Sequence, residues 1–155
     1  MDYRIEKKDA FKLIAYSRIF TVNNGSEGIP ALWREYYQKE IFKKAPGYLG
    51  IHSKKKMNPK EFLYGIGCNA DDVSIVPEGF VELEIPAFTW AIFTCEGPIP
   101  NAIYHTWYKI NEQWPPESDY EKILDYNIEN YSPKNNSSNK YTSELWLALR
   151  KKSES

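Results

Sequence analysis

The fold is decided by a stretch near the end of the chain, which reads Thr142-Ser143-Glu144-Leu145-Trp146-Leu147-Ala148-Leu149-Arg150-Lys151-Lys152. Apolar residues alternate along it, a pattern typical of a β-strand with one buried face. The three leucines share one face, which therefore needs a core. Glu144, Trp146 and Ala148 share the other face, so a carboxylate lies beside an indole ring. This pair suits a flat, apolar, positively charged ligand. The alternative is a solvated glutamate next to a tryptophan that covers a sheet edge.

The composition is typical of one folded domain, which we expect to cover residues 1–155. Aromatic residues make up 15% of the chain, and disordered chains are poor in such residues. Tyrosine and tryptophan also suit a surface that lines a ligand site, because each offers apolar area with a polar tip. The two cysteines, Cys68 and Cys95, do not make a disulfide scaffold, and we expect a buried, inert thiol at Cys95.

The charge balance argues against a nucleic-acid protein. The chain carries 20 basic and 21 acidic residues, a net charge of −1, whereas neutralising phosphates needs an excess of cations. No apolar run approaches the ~20 residues of a membrane span, and the N-terminus lacks signal-peptide character. We therefore expect a cytoplasmic protein without a direct nucleic-acid or membrane partner.

Two amphipathic helices are predicted from apolar residues spaced three and four apart. The first carries its stripe from Ile29 to Ile41, with Ser26 as its cap and Pro30 in its first turn. The second begins at the capping residue Asn101. Its stripe carries Ile103, Trp107, Ile110 and Trp114. We expect the tryptophans of both stripes to pack in the core.

Strands are predicted on both sides of each helix. A first strand, bent near Asp9-Ala10, covers residues 3–20, and its counterpart in the second half, bent at Pro86, covers residues 80–96. Tyr48–Ser53 and Glu61–Asn69 follow the first helix. Residues 120–131 and the quoted stretch follow the second, joined by a polar hairpin loop at 132–140.

The order strand, helix, strand, strand therefore occurs twice. Ala10–Tyr16 aligns with Ala87–Phe93 at a spacing of 77 residues, which indicates a duplication within one domain, with repeats over about 3–70 and 80–152. We predict an α+β fold in which the two units join one antiparallel sheet about a pseudo-two-fold axis. Both helices cover one face, and a ligand groove opens on the other where the units meet.

Eight short segments, in their order and spacing, carry a resemblance to a known family. They are Tyr64-Gly65-Ile66-Gly67, Ile85–Phe93, Gly97-Pro98, Thr106-Trp107, Trp114-Pro115, Tyr120-Glu121, Ile128-Glu129-Asn130-Tyr131 and Ser143-Glu144-Leu145-Trp146. Across nearly its whole length the chain resembles the GyrI-like, or AraC effector-binding, domain. The resemblance implies two strand-helix-strand-strand modules with a shared groove. It also implies that a glutamate at the position of Glu144 lies in an aromatic pocket and meets lipophilic cations.

The predicted ligand-binding residues are Glu144, Trp146, Trp90, Tyr64 and Tyr131. Glu144 is the expected counter-ion, because a carboxylate in a low-dielectric groove attracts a cation more strongly than one in water, although its desolvation costs free energy. Trp146 and Trp90 offer ring faces for stacking and cation–π contact. Core packing is the alternative for Trp90, and the two tyrosines are further groove candidates.

The sequence thus predicts a module that binds amphipathic, cationic, aromatic small molecules. No segment before Tyr3 can hold a helix-turn-helix, so we expect it to stand alone rather than inside a regulator. The resemblance leaves two other classes open. One is a hydrolase of electrophilic compounds, with Glu144 as general base and Tyr131 or Tyr64 as acid. The other is an interaction module that binds DNA gyrase or a separate regulator.

No cofactor or metal is predicted. His52 and His105 are too isolated in the sequence to indicate a metal site or a catalytic triad. A glycine-rich loop that would cradle a phosphate is also missing from the sequence.

Overall fold

The computed structural model describes residues 3–98, 101–113, 118–131 and 142–152. Within them the helices are α1 (Gly25–Gln38) and α2 (Asn101–Gln113). The strands are β1 (Tyr3–Lys8), β2 (Phe11–Thr21), β3 (Leu49–Ser53), β4 (Glu61–Asn69), β5 (Val81–Ile85), β6 (Phe88–Glu96), β7 (Tyr120–Asn130) and β8 (Thr142–Lys151). The predicted core residue Trp114 and the predicted hairpin loop at 132–140 lie outside the described residues. Neither described helix is long and apolar enough to cross a membrane.

The eight described strands form one antiparallel sheet in the order β1-β6-β8-β7-β3-β4-β2-β5. Each strand of the first half has a counterpart in the second half: β1 and β5, β2 and β6, β3 and β7, and β4 and β8. Replacing every strand by its counterpart reverses the order, as a pseudo-two-fold axis between β3 and β7 requires. Gly50 of β3 pairs there with Glu129 of β7. Their outer partners, Ile66 and Leu145, are equivalent too. The α+β class and the duplicated units are confirmed.

The two predicted bends are in fact crossovers between distant strands. β1 and β2 lie six places apart in the sheet, which is about 29 Å in a flat sheet. The link from Lys8 to Phe11 is only three residue steps, or at most about 11 Å. The sheet must therefore curl until its edges approach each other, and the link from Ile85 to Phe88 imposes the same closure. Each unit is strand-strand-helix-strand-strand, with one strand more than the sequence predicts.

Both helices pack on the same face of the sheet, as predicted. α1 packs on Ile66 of β4, and α2 packs on Leu145 of β8. Between these residues the register runs through Gly50 and Glu129, and directly opposed residues point to the same face. Glu129 therefore lies between the two helices, at the centre of the helix-covered face.

The other face is concave and buries a core of its own. Phe11 of β2 and Trp90 of β6 belong to different halves, yet their ring centroids lie 6.2 Å apart across this face. Ile51, Ile92 and Ala148 are fully buried in the same cluster. The curl of the sheet, rather than a helix, removes these side chains from water.

Helix α1 begins and ends earlier than its apolar stripe predicts. It starts at Gly25, and the Asn24 side chain accepts a hydrogen bond from the Thr21 amide, 2.7 Å away, instead of capping the helix. The helix ends at Gln38. Ile41 belongs to a separate 3₁₀ turn because Glu40 adopts a left-handed φ of 58°.

Candidate functional site

The five predicted ligand-binding residues lie on opposite faces of the sheet. The concave face carries Glu144, Trp146 and Trp90. The helix-covered face carries Tyr64 and Tyr131. The prediction that all five line one groove is wrong. Side chains alternate along a strand, and β7 places the residue before Tyr131, not Tyr131 itself, opposite Glu144.

On the concave face, the chain itself satisfies the carboxylate of Glu144. One oxygen accepts a hydrogen bond from the Trp146 indole N–H at 3.1 Å, and the other lies 3.2 Å from a guanidinium nitrogen of Arg4. The ammonium of Lys8 lies 4.7 Å from the centre of the Trp146 ring. Two cations of β1 thus occupy the positions that a cationic ligand of this pair would take.

Trp90 takes the alternative role of a core residue. Its side chain is fully buried, and its ring lies edge-on to Trp146 at a centroid distance of 5.9 Å. Its indole N–H has no hydrogen-bond partner among the described residues. A cavity of about 260 Å³ opens beside Trp146, and its lining includes Lys8 and Ile128 but not Trp90.

A second carboxylate, Glu129, lies on the helix-covered face and is 7% exposed. Its Oε1 accepts hydrogen bonds from the hydroxyls of Tyr64 at 2.7 Å and Tyr131 at 3.0 Å. Its Oε2 lies 3.4 Å from Nε2 of His52. The indole N–H of Trp33 donates to the Tyr64 hydroxyl at 2.9 Å. Side chains from β3, β4 and the end of β7 thus contact one buried carboxylate, and Trp33 of α1 supports this arrangement through Tyr64.

The surroundings keep Glu129 ionised. Burial raises its pKa, but the hydrogen bond and charge of His52, together with the two tyrosine hydroxyls, outweigh burial and lower the pKa below its usual value. Burial and the nearby carboxylate raise the pKa of Tyr64 and Tyr131 well above their ordinary value. Both tyrosines therefore remain neutral donors, and the carboxylate carries the negative charge.

Gly50 makes room for this arrangement. A Cβ atom at position 50 would collide with both the Tyr64 hydroxyl and Oε1 of Glu129. Because Gly50 and Glu129 are equivalent positions across the pseudo-two-fold axis, one half of the molecule supplies the carboxylate and the other supplies the space. The centre of the site therefore holds one glutamate rather than two.

Aromatic rings lead from Glu129 to the surface. Tyr131 lies edge-on to Trp33 at a centroid distance of 5.7 Å, and Trp33 stacks on the exposed Tyr37 of α1 at 6.4 Å. The exposed Tyr104 of α2 lies close enough to Tyr131 to raise the pKa of Tyr131. In this structure the rings close over the carboxylate, so a ligand must part them to reach it.

Glu129 is not among the predicted ligand-binding residues, although the sequence carries a signal for it. Glu129 and Tyr131 are two residues apart, so a strand places them on one face. That face also carries Leu145 and Leu147 of β8, where a charged residue is unexpected. His52 is isolated in the sequence because its partner comes from the other half of the chain.

Other reactive groups contribute little here. Cys68 and Cys95 are free and buried, as predicted for Cys95, and burial raises the pKa of the Cys68 thiol to about 11. Over the described residues, no cluster of three or more histidine, cysteine or acidic side chains could hold a metal ion.

The sequence model of the family described as "Cass2: Integron-associated effector binding protein" matches residues 4–149. The chain belongs to the Cass2 family. The match is consistent with the effector-binding domains that the sequence resembles, and only the name of the matching family, Cass2, differs. No curated protein matches the chain.

Three solved structures share the fold of this Cass2-family chain, each at 15% sequence identity. SAV2435 bound to tetraphenylphosphonium has a TM-score of 0.82 over 97% of this chain and 94% of its own. A putative transcription regulation protein from Staphylococcus aureus MU50 has a TM-score of 0.78 over 97% and 99%. An integron cassette protein of Vibrio cholerae has a TM-score of 0.70 over 96% and 95%. These structures confirm the fold.

Proposed function

We propose that this Cass2-family chain binds a lipophilic organic cation between α1 and α2, with Glu129 as its counter-ion. The observation that carries the proposal is a buried, ionised carboxylate held by Tyr64 and Tyr131 within a series of aromatic rings. A cation gains both Coulomb attraction and cation–π contact there. The tetraphenylphosphonium in the SAV2435 structure, a lipophilic cation of this type, supports the proposal.

The site favours an amphipathic ligand over a small hydrated ion. Taking a carboxylate out of water costs free energy, which an opposite charge in a low-dielectric site offsets. The rings of Trp33, Tyr37 and Tyr131 present apolar faces and edges on the way to Glu129. A hydrated inorganic cation would gain no contact with them, whereas aromatic groups around a shielded positive charge would.

Glu144 is the competing candidate for the counter-ion. Its two oxygens already meet the Arg4 guanidinium and the Trp146 indole N–H, and its side chain is 14% exposed. A ligand there would have to displace an existing ion pair. At Glu129 the two tyrosine donors are neutral and share one oxygen, and the cation that can face the other oxygen is the imidazole of His52, which can give up its charge as a guanidinium cannot. We therefore rank Glu129 first.

Binding is favoured over hydrolysis. A general acid works best when its pKa lies near the working pH. The pKa values of Tyr64 and Tyr131 are raised far from that range, so neither suits the role of acid. A separate regulator or DNA gyrase as a protein partner stays a prediction.

A matched pair of substitutions tests the proposal. Glu129→Gln and Glu144→Gln each remove one charge and nearly preserve shape, on opposite faces of the sheet. Titration of tetraphenylphosphonium, followed by tryptophan fluorescence, should show that Glu129→Gln weakens binding by about 2–5 kcal/mol, or about 30-fold at least. Glu144→Gln should change affinity less than about threefold, because Arg4 already neutralises that carboxylate.

A neutral ligand provides the second control. Triphenylphosphine oxide carries three of the same rings without net charge, so its affinity should change little in either variant. If Glu129→Gln leaves the cation affinity unchanged, or weakens the neutral and cationic ligands equally, Glu129 is not the counter-ion. A larger loss in Glu144→Gln would move the site to the concave face.

A further inference from the structure

Oε2 of Glu129 already faces a group that can carry a positive charge. Both tyrosine hydroxyls donate to Oε1 of the carboxylate, while Nε2 of His52 lies 3.4 Å from Oε2. When the imidazole is protonated, it forms an ion pair with Glu129. When it is neutral, Nε2 can at most donate an uncharged hydrogen bond, and the charge of the carboxylate is no longer balanced by His52.

The imidazole is held in this position by its neighbours. It stacks on Phe62 at a centroid distance of 5.6 Å and an interplanar angle of 20°, and it lies edge-on to Tyr64 at 4.8 Å. The titratable groups that face it are Glu129 of β7 and Tyr64 of β4, and the latter stays neutral. The His52 side chain is 24% exposed, so protons can exchange with solvent while the ring remains in place.

We propose that protonated His52 is the resident counter-ion of Glu129 and that an organic cation replaces it, so that ligand binding expels a proton from His52. The inference rests on the proposed function, because it concerns the same carboxylate. The position equivalent to Glu129 across the pseudo-two-fold axis is Gly50, so this centre supplies one negative charge. One carboxylate cannot neutralise two adjacent cations, and the repulsion between them favours the neutral imidazole.

Two consequences follow for the ligand. The affinity for a permanent cation rises with pH, since the protonated imidazole competes with it at low pH and the neutral imidazole does not. Displacement of one proton changes the affinity by at most tenfold per pH unit, and we expect a change of about tenfold between pH 5.5 and 8. A second positive charge on the ligand finds no second carboxylate at this centre among the described residues, so the site favours monocations.

Calorimetric titration of tetraphenylphosphonium into the full chain tests the inference, because the charge of this probe does not depend on pH. Titrations between pH 5.5 and 8.5, in buffers of different ionisation enthalpy, give both the affinity and the number of protons released. We expect about a tenfold tighter affinity at high pH and release approaching one proton at low pH. His52→Gln should remove both effects, while His105→Gln, an exposed histidine on α2, should keep them.

The outcomes separate this inference from the proposed function. A flat pH profile in the unsubstituted protein, with Glu129→Gln still weakening the cation, overturns the role of His52 alone. A pH slope that survives in His52→Gln overturns it as well. The absence of saturable binding at every pH overturns both proposals. The profile and proton count of the unsubstituted protein decide the question even if His52→Gln folds poorly.

Discussion

Gly50→Ala adds a single methyl group at the centre of the proposed site. The new Cβ would collide with the Tyr64 hydroxyl and Oε1 of Glu129, and it would lie 3.1 Å from Cζ of Tyr64. Neither neighbour can move away easily. Tyr64 is fully buried, and its hydroxyl is held between the Trp33 indole N–H and the carboxylate.

The size of the effect follows from what the methyl group displaces. Losing one hydrogen bond to a charged group costs about 1.5–3 kcal/mol, and overpacking a well-filled core costs about 1–3 kcal/mol. Replacing glycine by alanine within a strand returns about 0.5–1 kcal/mol of backbone entropy. We therefore expect Gly50→Ala to lower the free energy of unfolding by about 2–5 kcal/mol and to weaken tetraphenylphosphonium binding about tenfold or more.

Gly65→Ala is the matched control. Gly65 lies in the neighbouring strand β4, and its added Cβ would lie 2.7 Å from Cβ of Ala15, on the concave face. It should destabilise the fold but leave cation affinity nearly unchanged. Urea unfolding and fluorescence titration measure the two quantities. If Gly50→Ala stays within about 0.5 kcal/mol of the unsubstituted protein and binds the cation equally well, the crowding around Glu129 is not as described.

Two further predictions concern stability. Trp107 is half-buried on α2. Trp107→Ala should therefore lower the free energy of unfolding in denaturant melts by about 2–3 kcal/mol, less than the loss of a fully buried tryptophan. A change within about 0.5 kcal/mol would place Trp107 on the surface. Because the folded pKa of Glu129 is lowered, its ionised form stabilises the protein above the unfolded pKa, and this contribution is lost as pH falls through the folded pKa. Between pH 6 and pH 3 the unsubstituted protein should therefore lose more stability than Glu129→Gln, and parallel losses would contradict the lowered pKa.

Local patterns in the sequence predict much of the fold. The alternation in β8 and the aligned segments Ala10–Tyr16 and Ala87–Phe93 indicate duplicated units, an antiparallel sheet and two helices on one face. These features are confirmed because the apolar period of a strand or helix is set by neighbouring residues alone. The crossovers at Asp9-Ala10 and Pro86 are not predicted, because a local pattern does not show which strands pair across the sheet.

The candidate site depends on contacts between distant parts of the chain. Tyr64 and Glu129 are 65 residues apart, and only the register of β3, β4 and β7 brings them together. The same register turns Tyr131 away from Glu144. Trp90 lies in the core because the sheet curls around the concave face, and an alternating pattern cannot distinguish a groove face from a buried one. The prediction of an effector-binding domain is confirmed at the level of the family.

A crystal structure of this chain with tetraphenylphosphonium tests the central claim most directly, because the two candidate carboxylates lie on opposite faces of the sheet. We predict that the phosphorus atom lies between α1 and α2, within about 6 Å of the Glu129 carboxylate, with phenyl groups against Trp33 and Tyr131. The Arg4–Glu144 ion pair should remain in place. A ligand on the concave face, against Trp146 and with Arg4 displaced from Glu144, would contradict this account.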